Sequence, residues 1–488
     1  MITVPEKTLC RYLYDLALEQ PEKKLLGDAV GWMTASQLMQ SVAVIGRWLT
    51  DCGVRPGEPV ALCAQRSAVS IAALFALRLA GAVAVLTNPH CQPEEALRDC
   101  GELVGVRCCL VGGNGDVLTL RRGDVERHLA PDRGAVLSGP VQVDGDCREP
   151  GYIIFTSGST GKSKAVTLCD RNLAANLVDS RPLGDYRKED LALCIVPFDH
   201  VFGLVLAAGM AILEYGLYLP AYTDTRSILA AIQQEKLTRM NGVPSLYQAM
   251  AEQAPDFCLD SLRVGFIGGA PVTGEQFARM EKALGMTLVP VYGMSECIGV
   301  ACGSWQESQE LRCTTAGRIY SLNTVRILDE NGAEQPVGKA GELWVNGPAR
   351  MLGYWPRRME PERFLPTGDL GYLTKGGYLI LTGRKKDIII RNGKNLSPVR
   401  IEAALLSMPG VTAAAVVGLP DEKQGEVPYA MVAGIADPAE LKKLLLKNEL
   451  PAGILCTEAL PLTASGKPDK PRIRALLLEW RQNSTAVH

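Results

Sequence analysis

The sequence predicts an α/β protein of two or more domains, and three observations lead to that prediction. Over residues 1–150, short β-prone apolar segments alternate with segments of helical apolar spacing, which is typical of a mostly parallel sheet covered by helices. The chain has 488 residues, and a single hydrophobic core rarely serves a chain of that length. Its composition, 47% hydrophobic and 21% charged, is that of an ordinary globular protein.

The first elements follow from the spacing of apolar residues along the chain. The spacing predicts helices at residues 9–18, 35–49 and 68–79, and strands at residues 60–63 and 82–86. Pro89 and Pro93 then interrupt the chain before a further helix around residues 94–99. A polar, turn-rich segment at 144–150 leads into the next predicted strand.

Charge and hydropathy exclude several classes of protein. The net charge of −2 gives no field that would recruit nucleic acid or an anionic membrane. The first thirty residues mix acidic and basic side chains among the apolar ones, so we expect no signal peptide. The longest strongly apolar run, residues 201–213, is shorter than the about 20 residues that a membrane-spanning helix needs. We therefore predict no membrane span and no nucleic-acid partner.

The fifteen cysteines form no C-x-x-C pair, and only four histidines are present to share a metal site with them. An odd, scattered set that includes adjacent Cys108 and Cys109 fits reduced thiols used as small buried hydrophobic residues. This usage predicts a cytoplasmic location.

A strand predicted at residues 152–155 is followed by a nine-residue loop rich in glycine, hydroxyl groups and lysine. Such a loop suits an anion, because glycine lets the backbone approach phosphate, hydroxyl and N–H groups donate, and lysine adds charge. It is not a Walker A loop, since that motif needs glycine where Thr156 stands. A flexible Gly/Ser linker is the alternative. The predicted phosphate-binding residues are Thr156, Ser157, Gly158, Ser159, Thr160, Gly161 and Lys164.

The pattern T-S-G-S-T-G-x-x-K at 156–164 resembles the phosphate loop of the adenylate-forming superfamily, which includes acyl-CoA ligases, peptide-synthetase adenylation domains and luciferases. Residues 79–89 resemble the early A-G segment of that superfamily. The chain is closest to stand-alone acyl-CoA ligases. It departs from the usual loop at Ser163, where proline is common, and at Ala165, where glycine is common.

Residues 196–204, VPFDHVFGL, resemble the segment that lines the carboxylate pocket in acyl-CoA ligases. The resemblance places His200 and Gly203 in that pocket. Asp199 departs from it, because an apolar residue is usual there and amino-acid-activating relatives use a nearby Asp to pair with the substrate ammonium. A buried, unpaired carboxylate is costly, so Asp199 is expected to reach solvent or to have a partner.

Two glycine-containing segments follow. Residues 265–274 resemble the stretch that runs along the adenine and the acyl pocket, which implies roles for Gly269, Ala270 and Pro271. Residues 289–299 resemble the Y-G-x-T-E motif, with a serine in place of the commoner threonine. The resemblance implies nucleotide contacts from Tyr292, Gly293, Met294 and Ser295, a pocket position for Gly269 and Gly293, and a magnesium-binding role for Glu296. Magnesium in ATP enzymes is commonly held by one or two carboxylates.

The C-terminal third continues the resemblance. Residues 341–355 resemble the G-E…G-Y segment of the superfamily. The Thr-Gly-Asp at 367–369 implies by the same resemblance that Asp369 holds ribose hydroxyls, with a turn or helix-capping aspartate as the alternative. Residues 381–402 follow the hinge pattern with Arg400 where glutamate is frequent. The resemblance implies that Arg384 contacts ribose and phosphate and that Lys386 is the hinge. It also implies that Gly393, Lys394 and Asn395 line the thiol channel.

Residues 460–470, LPLTASGKPDK, match the last motif and make Lys467 the mobile catalytic lysine by resemblance. The fold implied is a large N-terminal domain of mixed sheets with packed helices, residues 1–385, and a small mobile α/β lid, residues 386–488. The catalytic positions implied are Lys467, Thr156, Glu296 and His200.

By resemblance, the chain is an ATP-dependent acid–thiol ligase that uses Mg2+. It forms an acyl-adenylate with release of pyrophosphate, and then a thioester on coenzyme A or on the phosphopantetheine of a separate carrier protein. A neutral acyl or aryl acid is the favoured substrate. The alternatives are a stand-alone amino-acid-adenylating enzyme and a non-catalytic adenylate-binding relative; the retention of Lys467, Glu296, Asp369 and Arg384 argues against the latter.

Overall fold

The structure is a computed structural model that describes residues 3–89, 91–112, 116–157, 163–270, 272–463 and 468–485. The helices are α1 (Leu9–Glu19), α2 (Ala35–Asp51), α3 (Ala68–Leu79), α4 (Pro93–Val104), α5 (Asp170–Ser180), α6 (Val201–Ile212), α7 (Thr225–Glu235), α8 (Pro244–Gln253), α9 (Gly274–Leu284), α10 (Gln309–Thr314), α11 (Pro398–Leu406), α12 (Pro438–Leu444) and α13 (Lys470–Thr485), with 3-10 turns at Ala254–Asp256 and Lys385–Asp387.

The strands are β1 (Lys24–Asp28), β2 (Gly31–Thr34), β3 (Pro59–Cys63), β4 (Val83–Leu86), β5 (Cys108–Gly112), β6 (Leu118–Arg122), β7 (Val125–Leu129), β8 (Tyr152–Ser157), β9 (Ser163–Leu168), β10 (Leu191–Leu193), β11 (Gly216–Tyr218), β12 (Arg239–Gly242), β13 (Val264–Gly268), β14 (Thr287–Tyr292), β15 (Ala301–Cys302), β16 (Arg318–Ile319), β17 (Thr324–Leu328), β18 (Gly341–Asn346), β19 (Gly353–Tyr354), β20 (Leu365–Leu373), β21 (Leu379–Arg384), β22 (Ile389–Arg391), β23 (Lys394–Leu396), β24 (Val411–Asp421), β25 (Gly425–Gly434) and β26 (Gly453–Thr457).

Within the described residues, these strands form four sheets. The order is β16-β15-β14-β13-β12-β10-β11-β1-β2 in the first, β19-β9-β8-β4-β3-β5-β6-β7 in the second and β17-β18-β20-β21 in the third. The fourth has the order β23-β22-β25-β24, with β26 added on β25. The α/β prediction is confirmed, although the sheet of the first 150 residues is mixed: β5, β3, β4 and β8 are parallel, and the antiparallel β6–β7 and β9 flank them.

The early helices and strands that the apolar spacing predicts are present, and β1, β2, β5, β6 and β7 are additional to them. Helix α3 has the predicted bounds and is buried from Ala68 to Leu77, as an apolar helix in a large core should be. Helix α2 begins at a capping box in which Thr34 accepts from the Gln37 backbone and the Gln37 side chain accepts from the Thr34 backbone. Strand β4 is buried at all four positions, as expected of a central parallel strand.

The hydrophobic core is divided between the two ends of the chain. The largest cluster runs from Leu9 to Leu365 in sequence and lies between the first two sheets. Two other clusters are built from residues 389–477 alone and fill the fourth sheet and its helices. The molecule therefore has a large N-terminal domain and a smaller C-terminal one. Sheet membership changes between Arg384, the end of β21, and Ile389, the start of β22.

All fifteen cysteines are free thiols, and most of them are buried, as their scattered spacing predicted. Among the described residues, no helix combines the length and the apolar character that crossing a membrane would require.

Candidate active site

The two ends of the predicted phosphate loop lie in paired strands. Strands β8 and β9 are antiparallel, and their register places Thr156 opposite Lys164 and Ser157 opposite Ser163. The prediction of a nine-residue loop was therefore wrong at both ends, because backbone pairing with β9 extends the strand beyond Phe155. Gly158, Ser159, Thr160 and Gly161 lie outside the described residues, and only the backbone of Ser157 is described.

The half-buried Lys164 is linked to Glu296 through a tyrosine. The Lys164 ammonium lies 5.0 Å from the centre of the Tyr354 ring, and the Tyr354 hydroxyl donates to Oε1 of Glu296 at 2.9 Å. Strand β19 makes this contact, because it pairs with β9 and sets Tyr354 beside Val166. Burial and the nearby Glu296 carboxylate raise the pKa of Tyr354, so the phenol stays protonated and donates.

The Glu296 carboxylate is buried, with 8% of the residue exposed. Among the described residues, no group of three or more His, Cys, Asp or Glu side chains is arranged to hold a metal ion. Magnesium in nucleotide enzymes does not require such a group, since one or two carboxylates and the substrate phosphates usually bind it. A single buried carboxylate, oriented by a hydroxyl on one oxygen, fits that mode of binding.

Two parallel strands end at the two glycine-containing segments. Gly268 ends β13 opposite Val291, and Tyr292 ends β14. Gly269 has a φ of +93°, in the left-handed region that favours glycine, and it turns the chain away from the sheet with Ala270. Pro271 lies outside the described residues.

The turn after β14 allows no side chain at Gly293, because a Cβ there would lie 1.9 Å from the Ile298 carbonyl oxygen. Met294 and Ser295 are half-buried in this turn, and Glu296 follows them. A close backbone approach therefore explains Gly293 without any ligand.

Asp369 is the second buried carboxylate, with 6% of the residue exposed. Its register in the antiparallel β20–β21 pair places it opposite Arg384, whose Nε donates to Oδ1 at 2.9 Å. The Tyr292 hydroxyl donates to Oδ2 at 2.7 Å. Burial and the Asp369 charge raise the pKa of Tyr292, which keeps this phenol a donor as well.

The predicted carboxylate pocket begins at His200, the N-terminal cap of α6, whose side chain is half-buried. A Cβ on Gly203 would lie 2.2 Å from the Pro197 carbonyl oxygen, so the entry turn of α6 requires this glycine. Asp199 is half-buried beside Arg66. Burial lowers the pKa of Arg66, and the charges of Cys194 and Asp199 partly oppose that effect.

The predicted hinge and thiol-channel residues are exposed. Lys386 lies in the 3-10 turn between β21 and β22. Gly393, Lys394 and Asn395 belong to the β22–β23 hairpin, whose two-residue turn has positive φ at Asn392 and Gly393, as a type I′ turn requires. No hydrogen bond or ion pair among the described residues joins this hairpin to Glu296, Asp369 or Lys164.

Lys467 lies outside the described residues. Leu462 and Pro468, on either side of its segment, pair as an isolated antiparallel bridge. Two residues further on, the Lys470 ammonium lies 3.2 Å from Asp387 and 3.3 Å from Glu402. The start of α13 is thus tied to the turn that contains Lys386.

Sequence reasoning missed two residues that the structure brings to this region, Tyr354 and Arg66. Tyr354 belongs to the G-Y pair that ends the segment 341–355, but nothing in the sequence relates it to Glu296. Arg66 follows β3 and reaches the Cys194 carbonyl oxygen at 3.4 Å, a contact made across two different sheets.

Comparison with known proteins places the chain in a family. A sequence model described as AMP-binding enzyme matches residues 14–355, and one described as AMP-binding enzyme C-terminal domain matches residues 400–467. A feruloyl-CoA synthase from an Amycolatopsis species is 32% identical over 472 residues, covering 91% of this chain and 93% of the relative. A 2-succinylbenzoate–CoA ligase from Bacillus mycoides is 31% identical over 496 residues, covering 97% and 100%.

Among solved structures, ATP-bound MatB from Rhodopseudomonas palustris has the same fold, with a TM-score of 0.84 at 24% identity over 97% of this chain and 99% of that one. The resemblance found in the motifs is therefore confirmed over nearly the whole chain. Because the family model covers most of the sequence and full-length relatives exceed 30% identity, this chain belongs to the family of AMP-binding enzymes.

Proposed function

We propose that this protein is an AMP-forming acid–CoA ligase. The observation that carries the proposal is the full-length similarity to two enzymes named as CoA ligases. Two buried carboxylates support it: Glu296 is linked through Tyr354 to Lys164 of the β8–β9 hairpin, and Asp369 accepts from Tyr292 at the end of β14.

In the first step, a carboxylate oxygen of the substrate attacks the α-phosphorus of ATP. A new O–P bond forms, the bond to the bridging oxygen of the β-phosphate breaks, and pyrophosphate leaves. Both reactants are anions, so the site must neutralise charge and hold an in-line geometry. In our proposal Thr156, Lys164 and Lys467 supply donors and positive charge for this step.

The nucleotide roles are assigned from position. Asp369 has the buried acceptor oxygens that suit ribose hydroxyls, and Arg384 lies against it at 2.9 Å. The main chain at Gly269, Ala270 and Tyr292–Ser295 would line the adenine. Glu296 would hold magnesium together with phosphate oxygens, and the ion would add positive charge at the phosphates.

In the second step, a thiolate attacks the acyl carbon, the thioester bond forms and AMP leaves with the electron pair of the C–O bond. We propose coenzyme A as the acceptor, as the relatives' names suggest; a carrier-protein phosphopantetheine is the alternative. Lys394 and Asn395 are exposed on the hairpin that would line the thiol channel. Arg391 and Arg400 are engaged elsewhere, with the Asn448 and Leu450 carbonyl oxygens and with Glu449.

Rotation of a lid between the two steps would bring different C-terminal groups to the site. We place the domain boundary at residues 385 and 386, with Lys386 as the hinge. The change of sheet between β21 and β22 supports this boundary, as does the separation of the hydrophobic clusters.

The acid is proposed to be neutral, apart from its reacting carboxylate, and acyl or aryl in type. Arg66 supports this choice, because it places a positive charge that interacts with Asp199 inside the protein, where a substrate ammonium would otherwise be needed. His200, with the apolar residues around it, would line the pocket. Both named relatives act on acids that contain an aromatic ring, so aryl acids come first in the test.

The test is a thioester assay with a panel of aryl, fatty and amino acids, ATP, Mg2+ and either coenzyme A or a phosphopantetheinylated carrier protein. We expect pyrophosphate release, AMP formation and an acyl-CoA mass with at least one neutral acid. Efficient turnover of amino acids alone would favour the amino-acid-adenylating alternative. If thioester forms only on the carrier protein, the acceptor is the carrier-protein phosphopantetheine and not coenzyme A. Binding of ATP without turnover of any acid would favour a non-catalytic adenylate-binding relative.

A further inference from the structure

The segment that contains Tyr354 joins the two sheets that carry the candidate phosphate site. On one side, Leu352 donates to the Thr167 carbonyl oxygen at 2.9 Å and Trp355 to the Ala165 carbonyl oxygen at 2.9 Å, both on β9. On the other side, the Met351 N–H donates to the Glu296 carbonyl oxygen at 2.8 Å. The backbone of residues 351–355 thus fixes the hairpin of the second sheet relative to the carboxylate that follows the first.

The Tyr354 side chain repeats this connection with two different chemical groups. Its hydroxyl donates to Oε1 of Glu296, and its ring face lies under the Lys164 ammonium. The preceding Gly353 has a φ of +149°, and a Cβ there would lie 2.2 Å from the Arg357 carbonyl oxygen. Only glycine fits that bend, so the direction of Tyr354 is set by the backbone.

We infer that Tyr354 is a positioning residue that orients the Glu296 carboxylate for magnesium and the Lys164 ammonium for the ATP phosphates. The inference rests on the proposed function only in taking Glu296 and Lys164 as the metal and phosphate groups. A hydroxyl on Oε1 fixes the plane of the carboxylate and directs Oε2 toward a cation. The ring attracts the ammonium to one side and limits the rotamers that Lys164 adopts.

Two properties make tyrosine specific for this position. Its hydroxyl donates to Glu296 at 2.9 Å, and its ring lies 5.0 Å from the Lys164 ammonium. Phenylalanine keeps the ring and loses the donor, whereas leucine loses both. The two substitutions therefore separate the effect on Glu296 from the effect on Lys164.

The experiment measures ATP binding by titration calorimetry with and without Mg2+, without acid or thiol. We expect wild-type protein to bind MgATP more tightly than metal-free ATP. Tyr354→Phe should reduce that ratio about tenfold, the effect of losing one hydrogen bond to a charged group, and leave metal-free ATP unchanged. Tyr354→Leu should weaken metal-free ATP as well, several-fold, because Lys164 loses the ring.

A double-mutant cycle tests whether Tyr354 acts through Glu296. Glu296→Gln should remove the magnesium preference, and Tyr354→Phe should then add nothing to it. The control is Tyr218→Phe, which removes the hydroxyl of a half-buried tyrosine in β11 that packs 5.8 Å from the Trp32 ring and should bind like wild type. Melting curves establish that each variant is folded.

A magnesium preference within twofold of wild type in Tyr354→Phe, or an additive effect in the Glu296→Gln background, would overturn the inference. Equal binding of metal-free ATP by the Phe and Leu variants would overturn its Lys164 part. None of these outcomes contradicts the proposed function if the wild-type protein makes thioester. Conversely, a protein that shows the expected binding pattern and makes no thioester from any acid contradicts the proposed function alone.

Discussion

The large and the small domain present their charged groups in opposite ways. In the large domain the two candidate acidic groups are buried and each is held by a tyrosine hydroxyl, Tyr354 on Glu296 and Tyr292 on Asp369. At the start of the small domain, Lys386 and Lys394 are exposed. Arg384 lies between these extremes: its side chain is 53% exposed and pairs with the Asp369 side chain, which is 8% exposed.

The difference separates two tasks. Buried acceptors with fixed donors cost little reorganisation when a nucleotide binds, which is what electrostatic preorganisation requires. Exposed cations on a hinged domain can be brought to the site in one step of a reaction and withdrawn in the next. The predictions below test whether the large domain is the fixed part of the site and the small domain the movable part.

The largest effect is expected from Lys467→Ala in the small domain. Removing one preorganised charged donor should lower acyl-adenylate formation by about a thousandfold. ATP–pyrophosphate exchange measures this loss, and the melting curve should not change, because the residue is proposed to act only on the phosphates. The matched control is Lys447→Ala, an exposed lysine of the same domain, which should exchange like wild type. Exchange at a near wild-type rate in Lys467→Ala would contradict the assignment.

The second prediction concerns the rigidity of the large domain. Asp190 is buried against Arg239 at 3.0 Å, with side chains 2% and 1% exposed, and it also accepts from Thr238 and Arg263. Asp190→Asn leaves a buried guanidinium without its counter-charge and should lower the free energy of unfolding by about 3 kcal/mol. Chemical denaturation measures it. In the small domain, Glu440→Gln at the exposed Glu440–Lys443 pair should leave stability unchanged.

The same pair predicts a pH dependence. Burial alone would raise the pKa of Asp190, but Arg239, the Arg187 N–H, Thr238 and Arg263 together hold it below its usual value. A lowered folded-state pKa gives stability that is complete above the unfolded value of about 3.9 and is lost as the pH falls through the folded value. The difference between wild type and Asp190→Asn should therefore be constant from neutral pH to about pH 5 and shrink below pH 4. A difference that grows on acidification would contradict this account.

Lys386→Pro tests the hinge itself. Proline fixes φ near −65°, so it should favour one orientation of the small domain and impair one half-reaction about tenfold more than the other. Pyrophosphate exchange and thioester formation are measured separately on the same preparation. Lys385→Pro is the neighbouring control, one residue before the proposed hinge. Equal loss of both half-reactions in a folded Lys386→Pro protein would place the hinge elsewhere.

The smallest effect is expected at Asp199. If Arg66 compensates its charge, Asp199→Asn should change kcat/KM for the best neutral acid by less than about twofold. No amino acid should be a good substrate of either protein. Arg66→Met is the complementary variant, and it should lower stability or activity more than Asp199→Asn does, because it removes a positive charge that interacts with the Asp199 carboxylate. If Asp199→Asn loses kcat/KM only for substrates that carry an amino group, the substrate is an amino acid and not a neutral acid.

The sequence by itself determined the fold class, the first four helices, two of the early strands and the family. Apolar spacing defined α3 to the residue, because a buried helix must be apolar throughout. Glycine patterns located the turns after β13 and β14, because tight backbone turns favour that residue type. The cysteines were correctly predicted to be free thiols for the same kind of local reason.

Only the tertiary structure decided which of these groups lie together. Strand pairing turned the ends of the expected loop into β8 and β9, and the β20–β21 register placed Arg384 opposite Asp369. Tyr354 and Glu296 are 58 residues apart in sequence, and Arg66 and Cys194 are 128 apart. Contacts of that kind depend on how two sheets pack against each other. The residue pattern of one chain segment does not show which distant segment will pack against it.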